Sequence, residues 1–308
     1  MLTGPRTLGN LARMIEPGTT PRVVAAVLNW CAEYDTAACV QSLIADGYRP
    51  LDILIVDNGS PDGSGDRLHS QFPSLHYLQN GENLGYAGGN LKATNWALER
   101  GYDYLLVIND DAEVACGCIA QLVNTLESNP RAAAAAPTIL HHGTSTIWFA
   151  GGEFVRFKAI GTHTRFGQET SALGKNSALP KAVSFISGCA VLYRCRALRQ
   201  SGGFRAEFFS YVEDLELSVR LMRNGWILCH VPSARATHKV SYPPPTPSPF
   251  AIRLRDRNRR RLVSLHYSGF DKLAFSAWFY PTRLLHLLRY LATGDAPRAA
   301  AIWSGMLD

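Results

Sequence analysis

The stretch "LLVINDDAEV", Leu105 to Val114, sets an apolar run directly ahead of Asn109, Asp110 and Asp111. A run with no alternating polar face reads as a strand covered on both sides, as in a parallel sheet. The carboxylates then emerge at its carboxyl end, the edge at which open α/β sheets bind ligands. Two earlier segments repeat the pattern. "RVVAAVLNW" (22–30) carries Asn29 behind its apolar residues, and "LDILIVDNGS" (51–60) carries Asp57 and Asn58.

Working outward, "TAACVQSLIADG" (36–47) has helical apolar spacing and a terminating glycine, and "LHYLQN" (75–80) reads as a short third strand. A glycine-rich turn leads into a helix at "NLKATNWALERG" (90–101). A helix over about 116–128 and a strand over about 132–139 follow. Short β-like pieces lie in "IWFAGGEFVRF" and "KAVSFISGCAVLYR", then an acidic helix in 212–226 and a strand at "WILCHVP". The succession β, α, β, β, α, β predicts an α/β fold, a mainly parallel central sheet flanked by helices.

Composition narrows the class. The chain has 308 residues, 46% apolar and 18% charged, which describes a globular protein rather than a disordered or fibrous one. The expected organisation is a leader over 1–21, a main domain over 22–240, a proline-rich linker over 241–249 and a basic helical region over 250–308. The formal charge of +6 is uneven, because six arginines fall within 253–261. Such a cluster reads as a solvated helix face or as a surface for anionic headgroups, and nucleic acid is not expected. The most apolar segment, 274–292, is interrupted by Pro281, Arg283, His286 and Arg289, too often for a membrane span. It suits either the membrane surface or packing on the catalytic body. The amino terminus lacks a signal-peptide core. Seven cysteines without repeated paired spacing read as reduced thiols, and the expected location is cytoplasmic, peripheral on the inner face of the cytoplasmic membrane. The oligomeric state stays open, a homo-oligomer included.

In a parallel sheet Asn29, Asp57, Asn58 and the Asn109–Asp111 triplet converge on one edge. That crevice suits a nucleotide, with Asp57 accepting hydrogen bonds from base or ribose. A carboxylate facing a diphosphate needs a divalent cation between them, and oxygen ligands select Mg2+ or Mn2+. The alternatives are structural: Asp57 as a turn former in "DNGSPDGSG", and Asp110 and Asp111 as caps of the next helix. "NGENLGYAGGN" (80–90), with Gly85 and Asn90, permits close backbone approach to a ligand but matches neither GxGxxG nor a P-loop. Glu213, Asp214 and Glu216 open the acidic helix, where one serves as a proton acceptor or all are exposed end charges. His238 follows a strand and is either a metal or phosphate contact or an ordinary histidine.

Taken in order, "VLNW", "IVDNGSPDGS", "NLGYAGGN", "INDDAEV", "IWFAGG", "FISGCAVLYR", "GGFRAEFFSYVEDLELSVR" and "GWILCHVPSARATH" resemble a family 2 glycosyltransferase of GT-A fold, in its rhamnosyltransferase-like branch. The resemblance spans about 22–240, and it implies a catalytic domain with a nucleotide-binding half (22–115) and a sugar and acceptor half (116–240). It implies that Asp57 reads the pyrimidine, that Asn109–Asp111 stand in the D-x-D-like place, and that Asp111 and His238 hold the metal on the diphosphate. Asp214 becomes the general base beside Glu213, while Gly151, Gly152 and Gly188 line the sugar and acceptor side. The implied reaction is inverting transfer of a sugar, rhamnose from dTDP-rhamnose, to a hydroxyl of a growing or lipid-linked cell-surface glycan. Transfer of a hexose or N-acetylhexosamine from a UDP-sugar is the alternative, nucleotidyl transfer a second, and a non-catalytic sugar-binding or scaffold protein the alternative of another class. Two positions depart from the pattern: Asn109 for the first aspartate, and Glu216 for an aspartate two residues after the base.

Overall fold

The computed structural model describes residues 20–173, 179–240 and 246–308. Its centre is four parallel strands, β1 (Val23–Asn29), β2 (Leu51–Asp57), β3 (His76–Gln79) and β4 (Tyr104–Asn109), in the order β3-β2-β1-β4. Their apolar runs are covered on both faces, so β1, β2 and β4 are almost wholly buried. The register sets Asn29 beside Asp57 and Leu28 beside Asn109, which lines up the polar strand ends along one edge as their sequences imply.

Helices α1 (Glu33–Ala45), α2 (Ser64–Gln71) and α3 (Gly85–Glu99) connect these strands. Helix α2 is not expected from the sequence, because "SGDRLHSQ" offers one large apolar residue, Leu68, and sits in a run of turn formers. The sequence reading also starts α3 five residues late. Gly85, Gly88 and Gly89 belong to the helix, and a Cβ on Gly89 would come within 2.5 Å of the Leu28 side chain, so glycine there lets α3 lie close against β1.

The sheet continues past β4 through β11 (Ala190–Arg194), β6 (Ala132–His141), β12 (Ile227–His238) and β10 (Lys181–Val183), with β5 (Ala112–Val114) on β12 and β7 (Ile147–Phe149) on β6. β11 runs antiparallel between β4 and β6, and β12 is parallel to β6. A separate hairpin joins β8 (Gly152–Val155) to β9 (Ile160–His163). Helix α4 (Cys118–Ser128) begins well after Asp110 and Asp111, with β5 in between, so neither caps it. Helices α5 (Cys195–Ser201) and α6 (Glu213–Arg223) complete the body.

Three helices follow: α7 (Pro249–His266), α8 (Gly269–Ala292) and α9 (Ala296–Leu307). Ser248 caps α7 by accepting from the Ala251 amide at 3.2 Å, and Pro249 takes the first turn, where its missing N–H costs nothing. Most of the expected leader and half of the expected linker, 241–245, lie outside the described residues. The arginine cluster is only partly a solvated face: Arg253 and Arg255 are exposed, while others turn to partners in the body. Arg259 is buried and donates to the Lys158 carbonyl at 2.5 Å, Arg261 donates to the Glu207 carbonyl at 2.6 Å, and Arg253 pairs with Asp308 at 2.7 Å. Among the described residues no helix is long and apolar enough to cross a membrane.

Candidate active site

Asp57 ends β2 in an enclosed pocket of donors. Asn29 Nδ2 and Ser60 Oγ donate to one carboxylate oxygen at 2.7 and 2.6 Å, and Ser60 N and Gln79 Nε2 to the other at 3.1 and 2.7 Å. Burial raises its pKa, but the bonds from Ser60, Gln79 and Asn29 outweigh that and hold it below the usual carboxylate range. Gly65 leaves the needed space, since a Cβ there would stand 2.4 Å from the Asp57 carboxyl carbon.

Asn29 is itself fully buried. Its amide nitrogen holds Asp57, and its oxygen accepts from Ala32 N and Thr36 Oγ1 at the start of α1. It therefore positions Asp57 and offers no free group to a ligand. Asn90 likewise turns into its own helix, donating to the Tyr86 carbonyl at 3.0 Å. Asn58 ties the loop ahead of α3, bonding Asn83, Asn80 and the Gly85 carbonyl. A cleft of about 350 Å³ opens beside it, lined among others by Trp30, Asn58, Gly85, Asn109, Asp110 and Phe250. Trp30, Phe209 and Phe250 have no counterpart in the sequence reading. They stand at segment ends, where an aromatic carries no periodic signal.

At the tip of β4, Asp111 Oδ1 lies 3.0 Å from His238 Nε2, and Asn109 Nδ2 lies 3.4 Å from the same nitrogen. His238 is the last residue of β12 rather than a loop residue, and Trp148 packs edge-on against it at 4.5 Å. Burial raises the Asp111 pKa, and the contact with His238 more than reverses it. Asp110 moves the other way, to about 7, through burial and then the charge of Asp111. Among the described residues no group of three acidic, histidine or cysteine side chains forms a metal cage. One carboxylate and one imidazole are donors for a divalent cation that takes its remaining ligands from phosphate and water.

Helix α6 delivers the second acidic group. Asp214 accepts from Gly188 N at 3.1 Å and from Leu215 N at 2.7 Å. Burial raises its pKa against those two bonds, and burial raises that of Glu213 further, with Asp214 adding repulsion. Glu213 is buried with Oε2 unbonded among the described residues, so burial disfavours its charged form. The expectation of exposed end charges fails here. Glu216 is fully buried in an ion-pair cluster with Arg220, Arg205 and His266.

One dipeptide joins the two acidic centres. The Cys189 carbonyl accepts from Asn109 N at 2.8 Å, while the Gly188 amide donates to Asp214. Gly188 is buried under Tyr86, whose hydroxyl donates to its carbonyl at 2.6 Å, so it acts on Asp214 rather than facing a sugar. Gly151 and Gly152 are not brought to this site. Gly152 backs onto Phe185 and lines a different cleft together with His230, and Gly151 lies against the His230 ring.

The family described as Glycosyl transferase family 2 matches residues 27–202, the span that carries both strand-end clusters and the Gly188–Cys189 link. The chain belongs to this family. It is a glycosyltransferase, and its relatives agree. An N-acetylglucosaminyl-diphospho-decaprenol L-rhamnosyltransferase of Mycobacterium tuberculosis is 30% identical over 211 residues, 63% of this chain and 68% of the relative. A low-salt glycan biosynthesis hexosyltransferase, Agl10 of Haloferax volcanii, is 28% identical over 201 residues, 65% of this chain and 61% of the relative. Among solved structures, GalNAc-T7 with UDP, GalNAc and Mn2+ superposes with a TM-score of 0.64 at 16% identity, over 87% of this transferase and 51% of that chain. The mannosyltransferase PcManGT of Pyrobaculum calidifontis, with GDP-Man and Mn2+, gives 0.56 at 17% identity, over 94% and 81%. The transferase thus has the GT-A fold, and it spans about half of the GalNAc-T7 chain.

Proposed function

We propose that the transferase is an inverting, divalent-cation-dependent enzyme that moves rhamnose from dTDP-rhamnose to a hydroxyl of a lipid-linked cell-envelope glycan. The observation that carries this reading is the Gly188–Cys189 link, which ties the tip of β4 to Asp214. Nucleotide side and proton acceptor thereby share one rigid frame. The donor lies in the cleft beside Asn58, Gly85 and Asp110, its base toward Asp57, where Gln79 is the outermost of the bonded donors and the one a base N–H replaces.

Asp111 and His238 hold Mg2+ or Mn2+, which supplies positive charge to the departing diphosphate. Asp214, made more basic by burial, takes the proton of the acceptor hydroxyl as its oxygen attacks the anomeric carbon opposite the leaving group. The Mycobacterium tuberculosis relative, named for a rhamnosyl transfer to a diphospho-decaprenol acceptor, supports donor and acceptor class. The Haloferax volcanii relative, named a hexosyltransferase, favours the second reading, a hexose donor on the same machinery.

Contact with the membrane is part of the proposal. Leu284, Leu285, Leu288 and Leu291 are each more than half exposed on α8, a leucine face suited to lie in the headgroup layer beside a lipid-linked acceptor. A donor screen tests the reading: purified protein with Mn2+ or Mg2+, dTDP-rhamnose against UDP- and GDP-sugars, with released nucleoside diphosphate as readout. Selective, cation-dependent turnover of dTDP-rhamnose is expected. Preference for a UDP-sugar replaces the donor, and failure to bind any nucleotide sugar refutes the mechanism.

A further inference from the structure

We propose that the cleft enclosed by α6, α7 and α8 is the subsite for the diphosphate of a prenyl-diphosphate-linked acceptor, gripped by Arg255 and Arg283. This rests on the lipid-linked acceptor proposed above and names the residues that hold it. The cleft measures about 450 Å³, within the range of small-ligand sites, and Asp214 opens into it. It is distinct from the donor cleft. Phe209 and Ser210 line the donor cleft, whereas Tyr211, Val212 and Asp214 line this one, so the chain from Phe209 to Asp214 forms the wall between them.

The charges that face the cleft favour an anion. Arg255, Arg259 and Arg283 stand against Asp214 and Asp256, with His286 beside them. Burial, then the charges of Arg283 and Arg289, push His286 below its ordinary pKa. Asp256 is already compensated, with Arg259 at 3.5 Å and Arg283 at 3.3 Å. The Arg259 guanidinium is further held by the Lys158 carbonyl. Arg255 has no carboxylate partner among the described residues; its guanidinium rests 4.7 Å from the Tyr211 ring centre. Arg283 Nε is buried without a hydrogen-bond partner among the described residues. Two guanidinium groups with donors to spare, one from α7 and one from α8, line the same cleft and match the several oxygens of a diphosphate.

The position of α8 strengthens the assignment. Arg283, His286 and Tyr290 line the cleft at spacings that share one helix face, while Leu284, Leu288 and Leu291 are exposed on another. A diphosphate held by Arg283 therefore sits on the inner side of a helix whose outer side is apolar. The sugar it carries points to Asp214 and its prenyl chain leaves toward the leucine face. Free inorganic phosphate would use the arginines but not that face.

The test uses the full chain at low salt with EDTA, so that no cation bridges the probe to Asp111. Calorimetry measures farnesyl diphosphate, with farnesol and inorganic pyrophosphate as the lipid-only and anion-only arms. Nucleoside diphosphate binding with Mn2+ is measured separately on the same proteins. The expectation is that farnesyl diphosphate binds more tightly than either arm, and that Arg255→Gln and Arg283→Gln each weaken it about tenfold or more while leaving nucleoside diphosphate binding intact. Arg255 is exposed, so its substitution does not threaten the fold, and Asp256 keeps Arg259 when Arg283 is changed. Farnesyl diphosphate that fails to bind, or binds both variants as tightly as the parent, overturns the assignment while leaving the transferase reading in place. Equal binding of pyrophosphate and farnesyl diphosphate overturns the lipid-linked source. Loss of nucleoside diphosphate binding in the parent, with the arginine dependence intact, overturns the donor reading and leaves this subsite standing.

Discussion

Replacing Glu216 by glutamine tests the packing that fixes the proposed base. Glu216 is 0% exposed, with Arg220 Nη2 at 2.6 Å and Nε at 3.0 Å, Arg205 Nε at 3.1 Å and His266 Nε2 at 2.8 Å. Glutamine keeps the shape and removes the charge, which leaves the largely buried Arg220 guanidinium without its counter-ion. Breaking a buried pair from one side costs about 3–5 kcal/mol. In a domain of this size each kcal/mol lowers the melting temperature by about 2 °C, so Glu216→Gln should melt about 6–10 °C below the parent by calorimetry at pH 7. The pH dependence has a definite sign. Burial raises the Glu216 pKa but His266 and Arg220 outweigh it, so the folded value lies below the ordinary one. Its ionisation therefore stabilises the fold above the unfolded pKa of about 4.3, and that contribution is lost as pH falls through the lower folded value. The gap between parent and variant should narrow in acid. A variant within about 1 kcal/mol of the parent, with a gap that ignores pH, would refute the reasoning.

Asp214→Asn should lower kcat/KM by about 10²–10⁴ while nucleotide affinity, read by calorimetry, is unchanged. In the parent, activity should rise with pH through a value above the ordinary carboxylate range, because burial raises the Asp214 pKa and only the ionised form accepts a proton; a pH–rate profile checks this. Asp111→Asn should weaken nucleoside diphosphate binding in Mn2+ and leave binding in EDTA unchanged, seen in paired titrations. Gly65→Ala places a methyl 2.4 Å from the Asp57 carboxyl carbon, so it should destabilise the fold by about 1–3 kcal/mol in urea and weaken thymidine and uridine diphosphates together. Leu284→Glu with Leu288→Glu should reduce flotation with anionic vesicles without changing the melting temperature, since both side chains are more than half exposed.

The sheet was legible where burial on both faces leaves a continuous apolar run, as in β1, β2 and β4, and where a polar tip marks the ligand edge. The helices were legible only where their apolar residues repeat. α2 carries one such residue, and the glycines of α3 look like a turn until the approach of Leu28 explains them. At the site, residue types predicted the acidic groups but not their company. Asn29 reads as a ligand contact because a polar side chain behind a strand can face outward or inward, and its bonds to Asp57, Ala32 and Thr36 turn it inward. Nothing local to Glu216 announces that Arg205 and His266, 11 and 50 residues away, converge on it. Such partners are set by tertiary packing, which spacing along the chain does not encode.

The carboxyl-terminal helices show the same point with a consequence for experiment. Phe209, Tyr211 and Val212 all have positive φ, and for a β-branched valine this is a costly backbone state. It persists because Asn258, fully buried on α7, donates to the carbonyls of Phe208, Ser210 and Tyr211 at 2.7, 2.9 and 2.7 Å. Val212 in turn precedes the first turn of α6, which presents Glu213 and Asp214. So α7 braces the wall between the two clefts and, through it, the proposed base. Removing residues 250–308 would release that loop together with the leucine face, and a loss of membrane binding would then be inseparable from a collapse of the site. Point substitutions on α8 separate the two, because Leu284 and Leu288 face away from the cleft that Arg283 and His286 line.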